Sequence, residues 1–281
     1  MIGWGFLRSW RWAGYLALTI AFAIACCSLG VWQLDRRAEA LAAIAKVEAN
    51  YDSSPVAIDA LLPDLDAFAE ADEWRQVRLE GQYLLGDQLL VRTRPLSGSP
   101  GFEVLVPLKL TSGAVFVVDR GWVPVGTTQD APDAVPAAPS GPVTVVVRLK
   151  PGEPALAGRT APPGQVATIE LHDIQKLLGE PVYTGAYGLM VSESPPAATR
   201  PTALPKPALD EGPHLSYAFQ WFLFALLGFV GLGWAVRQEF RLVNAEDPDE
   251  QERARERDIR RARRAPTDAE AEDAILDQVR S

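Results

Sequence analysis

Two histidines, His172 and His214, and two adjacent cysteines, Cys26 and Cys27, are the whole stock of imidazole and thiol in this chain of 281 residues. The cysteines lie inside an uninterrupted apolar run. The polar part of the chain therefore has no thiol, which excludes a disulfide framework, a structural zinc site and a thiol copper chaperone there. His172 precedes Asp173 with no second His or Cys to share a metal, and reads as a surface or helix-start residue. His214 follows Pro213 at the threshold of a second apolar run. From it, His214, Tyr217, Trp221, Phe224, Gly228 and Gly231 trace one face of a helix, polar and aromatic at the outer end and glycine deeper in. This stripe has two readings. One is a helix-packing face topped by interfacial aromatics, which spacing alone favours. The other is a pocket for a flat apolar cofactor, with His214 as axial metal ligand.

Hydrolytic chemistry finds little support. There is no nucleophile elbow and no external cysteine, and the sequence assigns neither histidine a serine or carboxylate as catalytic partner. No Gly-rich loop with a lysine suggests a nucleotide site. No catalytic residue is nominated. The net charge of -9 gives phosphate no electrostatic foothold, which argues against nucleic acid as a partner.

The elements that must position His214 are two apolar runs. Ala13 to Leu34 is uncharged and roughly 33 Å long as a helix, enough to cross a hydrocarbon core of about 30 Å. Trp10 and Trp12 stand at one edge and Trp32 at the other, where interfacial anchors belong. A cleaved leader is the rival, with Arg8 and Arg11 as its basic start and Ala23-Ile24-Ala25-Cys26 as a loose lipoprotein site. The run continues past Cys26 through Trp32, and that length favours an uncleaved anchor. Leu215 to Val236 is equally uncharged and long, and a core helix of a soluble protein is its rival. Arg237, Arg241 and an Arg-rich segment follow it. The positive-inside bias then places both termini in the cytoplasm and residues 35 to 214 outside.

Antiparallel spans bring Leu29 to Arg37 level with His214, so Gly30, Trp32, Gln33, Arg36 and Arg37 border one site. Arginines on the outer side run against the charge bias. They suit lipid phosphates or carboxylates such as haem propionates, or a plain salt bridge with Asp35 or the acidic domain.

Between the spans, residues 36 to 49 read as a helix continuing out of the membrane. A β pattern sets in at Trp74 to Tyr83 and recurs at Leu89 to Arg94, Phe102 to Leu110, Ala114 to Val123, Val143 to Leu149 and Val182 to Val191. Leu171 to Leu178 reads as a short helix, Asp130 to Pro142 as a Pro/Ala loop, and Pro195 to Pro213 as a tether. Gly121, after Asp119 and Arg120, marks a bulge or close backbone approach, and Trp122 packs at the domain or membrane surface. The fold class is α+β: two transmembrane helices, 13–34 and 215–236, flank a mainly antiparallel external domain, 35–214, built as a sandwich or a partly closed barrel. Residues 1–12 form a cytoplasmic N-terminus. Residues 237–281 form a charged cytoplasmic tail that reads as solvated or partly disordered; the alternative is a solvated helix of paired charges, with Thr267-Asp268-Ala269-Glu270 as a capping box for another short helix.

Five segments occur in order: LGVWQLDRR from Leu29, WRQVRLEGQY from Trp74, GFEVLVPLKL from Gly101, VFVVDRGWVP from Val115 and HLSYAFQWF from His214. Together they resemble the surfeit locus protein one family, whose members assist assembly of cytochrome c oxidase. The resemblance implies a non-enzymatic assembly factor in the inner or plasma membrane that delivers or stabilises haem a for the catalytic subunit. It makes His214 the candidate iron ligand, Gly30 the glycine before the first-span tryptophan and Tyr217 the span tyrosine. The expected haem-facing set is His214, Tyr217, Trp221, Gly30, Trp32, Arg36 and Arg37, and the expected partners are oxidase subunits, haem a and membrane lipid. A haem-free scaffold for oxidase subunits and an anchored exported enzyme are the alternatives. The charged tail and the loop at Asp130 to Pro142 depart from the family pattern.

Overall fold

The computed structural model describes residues 3–127 and 130–262, so the capping box at Thr267 to Glu270 lies outside the described residues. The chain divides into a helical unit, up to Ala38 and from Gly212 onward, and a β unit, Glu39–Glu211.

Helix α1 runs unbroken from Trp10 to Asn50, joining the apolar run and its alanine-rich continuation. Ser53-Ser54-Pro55 then bars further helix. In the β unit the strands are β1 (Val56–Ala57), β2 (Gln76–Tyr83), β3 (Leu89–Val91), β4 (Gly101–Leu110), β5 (Val115–Pro124), β6 (Pro142–Pro151) and β7 (Gln165–Val166), followed after helix α2 (Leu171–Leu178) by β8 (Ala186–Ser194). Helix α2 has the bounds expected of it. Glu170 caps its start by accepting from the amides of His172 and Asp173, and Gly179 ends it in the left-handed region.

The sandwich alternative is wrong: β2, β6, β8, β5 and β4 close into a five-stranded barrel through pairing of Gly81 to Tyr83 with Leu110 to Leu108. Closure depends on a missing side chain, because a Cβ at Gly81 would lie 2.2 Å from the Lys109 carbonyl oxygen. Four of the five barrel pairings are antiparallel, and β5–β8 is parallel. This is the strand order of the OB-fold, and at that level it carries no function.

Strands β4 and β5 are buried along almost their whole length. One face, with Phe102, Val104, Phe116 and Val118, fills the barrel with Val77, Leu79, Val145 and Val147. The other, with Leu105, Val115 and Val117, lies under Ile169, Leu171 and Ile174 of α2 and its approach. That double burial explains the near-continuous apolar runs in these two strands. Strand β6 alternates buried and partly exposed residues because it is covered on one side only. Each fully buried Val, Leu or Phe contributes about 1.5–3 kcal/mol relative to exposure.

In the helical unit, α3 (His214–Val243) pairs with the part of α1 up to Ala38. On α1 the more buried positions are Trp12, Thr19, Ala23, Cys26, Gly30, Gln33 and Arg37. On α3 they are His214, Ala218, Trp221, Ala225, Gly228 and Leu232, followed by Ala235, Val236, Glu239, Phe240 and Arg241. From Thr19 to Arg37 on α1 and from His214 to Leu232 on α3 steps of three and four alternate, the repeat of a left-handed helical pair. Only half of the predicted stripe lies on this seam: His214, Trp221 and Gly228 do, while Tyr217, Phe224 and Gly231 are exposed. The stripe keeps the same seven-residue repeat but sets its second row three residues after His214, at Tyr217, Phe224 and Gly231, whereas the seam takes the row four residues after, at Ala218, Ala225 and Leu232. A fourth helix, α4 (Pro248–Ala262), opens on Pro248 and buries the Glu250 carboxylate against Arg257 at 2.8 Å.

Candidate functional site

The seam brings His214 and Gln33 together. His214 is the first residue of α3, half-buried, and its Nδ1 stands 2.8 Å from Gln33 Oε1 on α1. Below them Gly30 meets the Phe222 ring, where a Cβ at residue 30 would come within 2.8 Å of ring carbons. Trp221 packs on Ala23, Cys26 and Ala225, with its ring edge-on to Phe224 at 5.9 Å. Gly30 and Trp221 thus set the helix spacing beneath His214. Tyr217 and Trp32 are half exposed on the flanks. Arg36 and Arg37 stand one turn above Gln33 on α1, Arg36 exposed and Arg37 half-buried. Of the seven residues singled out from sequence, His214, Gly30 and Trp221 line the seam at neighbouring levels, and Arg37 continues it.

At the other end of the pair, Arg11 bonds Glu239, and Trp4 stacks on Phe240 at 4.3 Å. Both contacts hold the helices antiparallel.

The β unit holds two buried polar clusters that begin at consecutive residues of β5. Successive side chains of a strand point to opposite faces. Arg120 therefore enters the barrel with Phe116 and Val118, while Asp119 enters the layer under α2 with Val115 and Val117. Arg120 and Glu193 are fully buried and paired, Nη2 to Oε1 at 2.9 Å and Nε to Oε2 at 3.3 Å. The Tyr83 hydroxyl donates to Glu193 Oε2, and Arg120 Nη1 donates to the Pro136 carbonyl at 3.0 Å. Burial first, then the Glu193 carboxylate, pushes the Tyr83 hydroxyl well above its ordinary range. Removing one partner of such a pair strands a charge in the core at a cost of about 3–5 kcal/mol. The Pro136 contact also ties down the loop at Asp130 to Pro142, and Val135 and Ala138 pack on the barrel core.

Asp119 is 1% exposed. Its Oδ1 accepts from the Gly121 amide at 2.9 Å, while its Oδ2 is buried with no hydrogen bond. Burial, reinforced by the nearby Glu103 carboxylate, raises its pKa well above the usual aspartate value. Arg94 reaches Glu103 at 3.2 Å and Glu153 at 2.5 Å, so one guanidinium serves this acidic group. Burial pushes Glu153 up, but bonds from Arg94, the Ile169 amide and Thr168 outweigh it and hold its pKa low.

Next to Asp119 the segment after β8 is bonded to the barrel rather than slack. Trp122 and Thr202 exchange two backbone bonds of 2.8 Å, and Gly121 leaves room for the Thr202 carbonyl. Lys206 bonds Asp52 at 3.0 Å. Trp122 is a core residue whose indole donates to the Arg94 carbonyl at 2.6 Å, not a surface anchor.

His172 sits exposed at the start of α2, its Nδ1 3.0 Å from Glu170, as a helix-start residue should. Among the described residues no group of three or more His, Cys, Asp or Glu is placed to hold a metal ion. A groove of about 410 Å³ is bordered by Glu80, Gln82, Lys109, Thr111, Thr144 and Ser194, with no histidine among its lining residues.

Sequence reasoning missed the partnership of Glu193 with Arg120 and the single bond that fixes His214. A carboxylate on the same strand repeat as apolar residues was the available signal for the first. For the second, Gln33 lay among the residues level with His214, but nothing in the spacing paired it with the imidazole.

A model of the SURF1 family matches residues 20–226. An uncharacterized SURF1-like protein of Mycobacterium bovis is 33% identical over 241 residues, covering 84% of this chain and 87% of its own length. SURF1-like proteins of two Mycobacterium tuberculosis strains match to the same extent.

Proposed function

The chain belongs to the SURF1 family, the surfeit locus protein one family, whose members are in general cytochrome oxidase assembly factors. From that premise we propose that it is a membrane-anchored factor that holds haem a for insertion into the catalytic subunit of cytochrome c oxidase. The observation that carries this reading is the placement of His214. It is half-buried at the first turn of an apolar helix, with aromatic side chains exposed beside it. The residues suit the group. An imidazole is a good haem-iron ligand. Tyr217, Phe224 and Trp32 offer apolar surface for a macrocycle, and Arg36 and Arg37 supply charge for propionates. When bound, haem a would supply only its iron and its apolar bulk; the chain's part is to hold and orient it.

Membrane anchoring draws on the same helices. Both are long and apolar enough to cross a bilayer. Leu18 on α1 and Phe219 on α3 are 69% and 68% exposed, where a soluble core helix would bury them. The arginines after α3 put the termini in the cytoplasm and the barrel outside.

Co-expression with the enzymes of haem a synthesis, followed by the absorption spectrum of the purified chain, tests the reading. We expect bound haem a in the wild type and its loss in His214→Ala. Equal haem in both would remove His214 as ligand. A second reading has one observation in its favour: the groove of about 410 Å³ lies in the β unit, and His214 is not among its lining residues. In that case the chain is a haem-free scaffold that co-purifies with oxidase subunits and carries no chromophore.

A further inference from the structure

The 2.8 Å contact between His214 and Gln33 concerns which ring nitrogen is left free. A neutral imidazole carries one proton, and the partner of one nitrogen decides where it sits. The Gln33 atom facing Nδ1 is the carbonyl oxygen Oε1, which can only accept. The proton must then be on Nδ1, so Nε2 keeps its lone pair. We propose that Gln33 is the positioning residue for His214: it fixes the Nδ1–H tautomer and the ring plane, and so presents Nε2 as the ligating atom.

Three features support this arrangement. Gln33 and His214 both sit on the packed seam, on separate helices held together beneath them by the Gly30–Phe222 contact and by Ala23 and Cys26 of α1 packed with Trp221 and Ala225 of α3, so the bond does not depend on a loop. The other nitrogen lies beside Gly212: a Cβ built there would stand 3.4 Å from Nε2, in ordinary contact with the proposed ligating edge, so glycine leaves that edge open on this side. A donor bond from the non-ligating nitrogen also raises the basicity of the ligating one, as carbonyl and carboxylate partners do for metal-bound histidines. What Nε2 binds rests on the haem reading above; the tautomer does not.

The test has two arms. The first needs no haem. In full-length chain in lipid nanodiscs, nitrogen NMR of labelled histidine reads the protonation of each ring nitrogen, and His172→Gln leaves His214 as the sole signal, since the chain has only two histidines. The wild type should show a protonated Nδ1 and a bare Nε2. Gln33→Leu should move the proton to Nε2, and Gln33→Glu, which keeps an acceptor oxygen, should preserve the wild-type pattern. A protonated Nε2 in the wild type, or a pattern unchanged in Gln33→Leu, overturns the proposal. In the second arm, haem a affinity should fall about tenfold or more in Gln33→Leu and hold in Gln33→Glu, with the bound iron's midpoint potential shifted downward by the carboxylate. An unchanged affinity in Gln33→Leu overturns the positioning role. If His214→Ala binds haem as the wild type does while the tautomer follows Gln33, the ligand reading fails and the Gln33–His214 coupling stands. If His214→Ala loses haem while the tautomer ignores Gln33, the coupling fails and the ligand reading stands.

Discussion

Asp119 and Arg120 are neighbours in sequence, yet their charges are handled in opposite ways. Arg120 meets a carboxylate of matching geometry in the barrel interior. Asp119 has one satisfied oxygen and one that is not, in a layer already crowded with acid. Its pKa is raised, so the folded chain holds the proton more tightly than the unfolded chain does. By linkage, stability is full below the unfolded value, near 3.9, and falls as pH rises toward the native value. Glu153 and Glu73 act in the other direction. Burial raises Glu73, but bonds from Lys150 and Lys46 prevail and lower it, so both carboxylates stabilise above the unfolded glutamate value and lose that contribution in acid. Asp119→Asn keeps the acceptor for the Gly121 amide and removes the buried charge. Melting curves of the full chain between pH 4 and 8 should therefore diverge, the variant gaining on the wild type by about 1.4 kcal/mol for each pKa unit Asp119 is raised. A constant offset across that range would show that Asp119 does not titrate there. Glu103, Arg94, Glu153 and Tyr187 face Asp119 in both proteins.

At the scale of elements, the helix pair is controlled by its small residues. Cys26 packs against Ala225 across the seam, and Gly30 admits the Phe222 ring one turn higher. Small residues at such a seam let the two helices approach closely. In a Cys27→Ser background, Ala225→Cys should form an oxidative cross-link to Cys26. Adding Gly30→Leu should cut its yield severalfold, because the new side chain overlaps the Phe222 ring. Gly231→Leu is the control: open space surrounds that glycine, and the yield should not change. Equal loss in both variants would mean that the seam is not where the helices meet.

For the whole molecule, the decisive question is which side of the membrane each part occupies. Ser112 is exposed on the barrel between β4 and β5, and Arg255 is exposed on α4. Replaced by cysteine, Ser112→Cys should react with a membrane-impermeant maleimide in intact cells, and Arg255→Cys only after permeabilisation. Labelling of both in intact cells would refute the two-span arrangement. It would also remove the reason for placing His214 at the outer boundary. The charged helix α4 and the residues after it would then need another account than a cytoplasmic tail.

Much of the architecture was legible because it rests on short-range physics. Uncharged runs reveal two helices long and apolar enough to cross a membrane, and Glu170 with Gly179 brackets α2 by local capping. Alternation located six of the eight strands, with ends shifted by up to a few residues. It missed β1 and β7, which are two residues long and form by pairing alone. The family resemblance was also carried by linear motifs. Barrel closure was not legible, since it turns on a long-range pairing that Gly81 permits. Nor was the fate of the titratable groups: strand alternation says that Asp119 and Arg120 point apart, but Glu193 and Glu153 arrive from remote parts of the chain. In the same way the position of His214 was evident from the chain, whereas its bond to Gln33, 181 residues away, was not. Periodicity and hydropathy are properties of neighbours and need only the sequence. Partner choice inside a core depends on which remote backbones approach, and only the folded chain decides that.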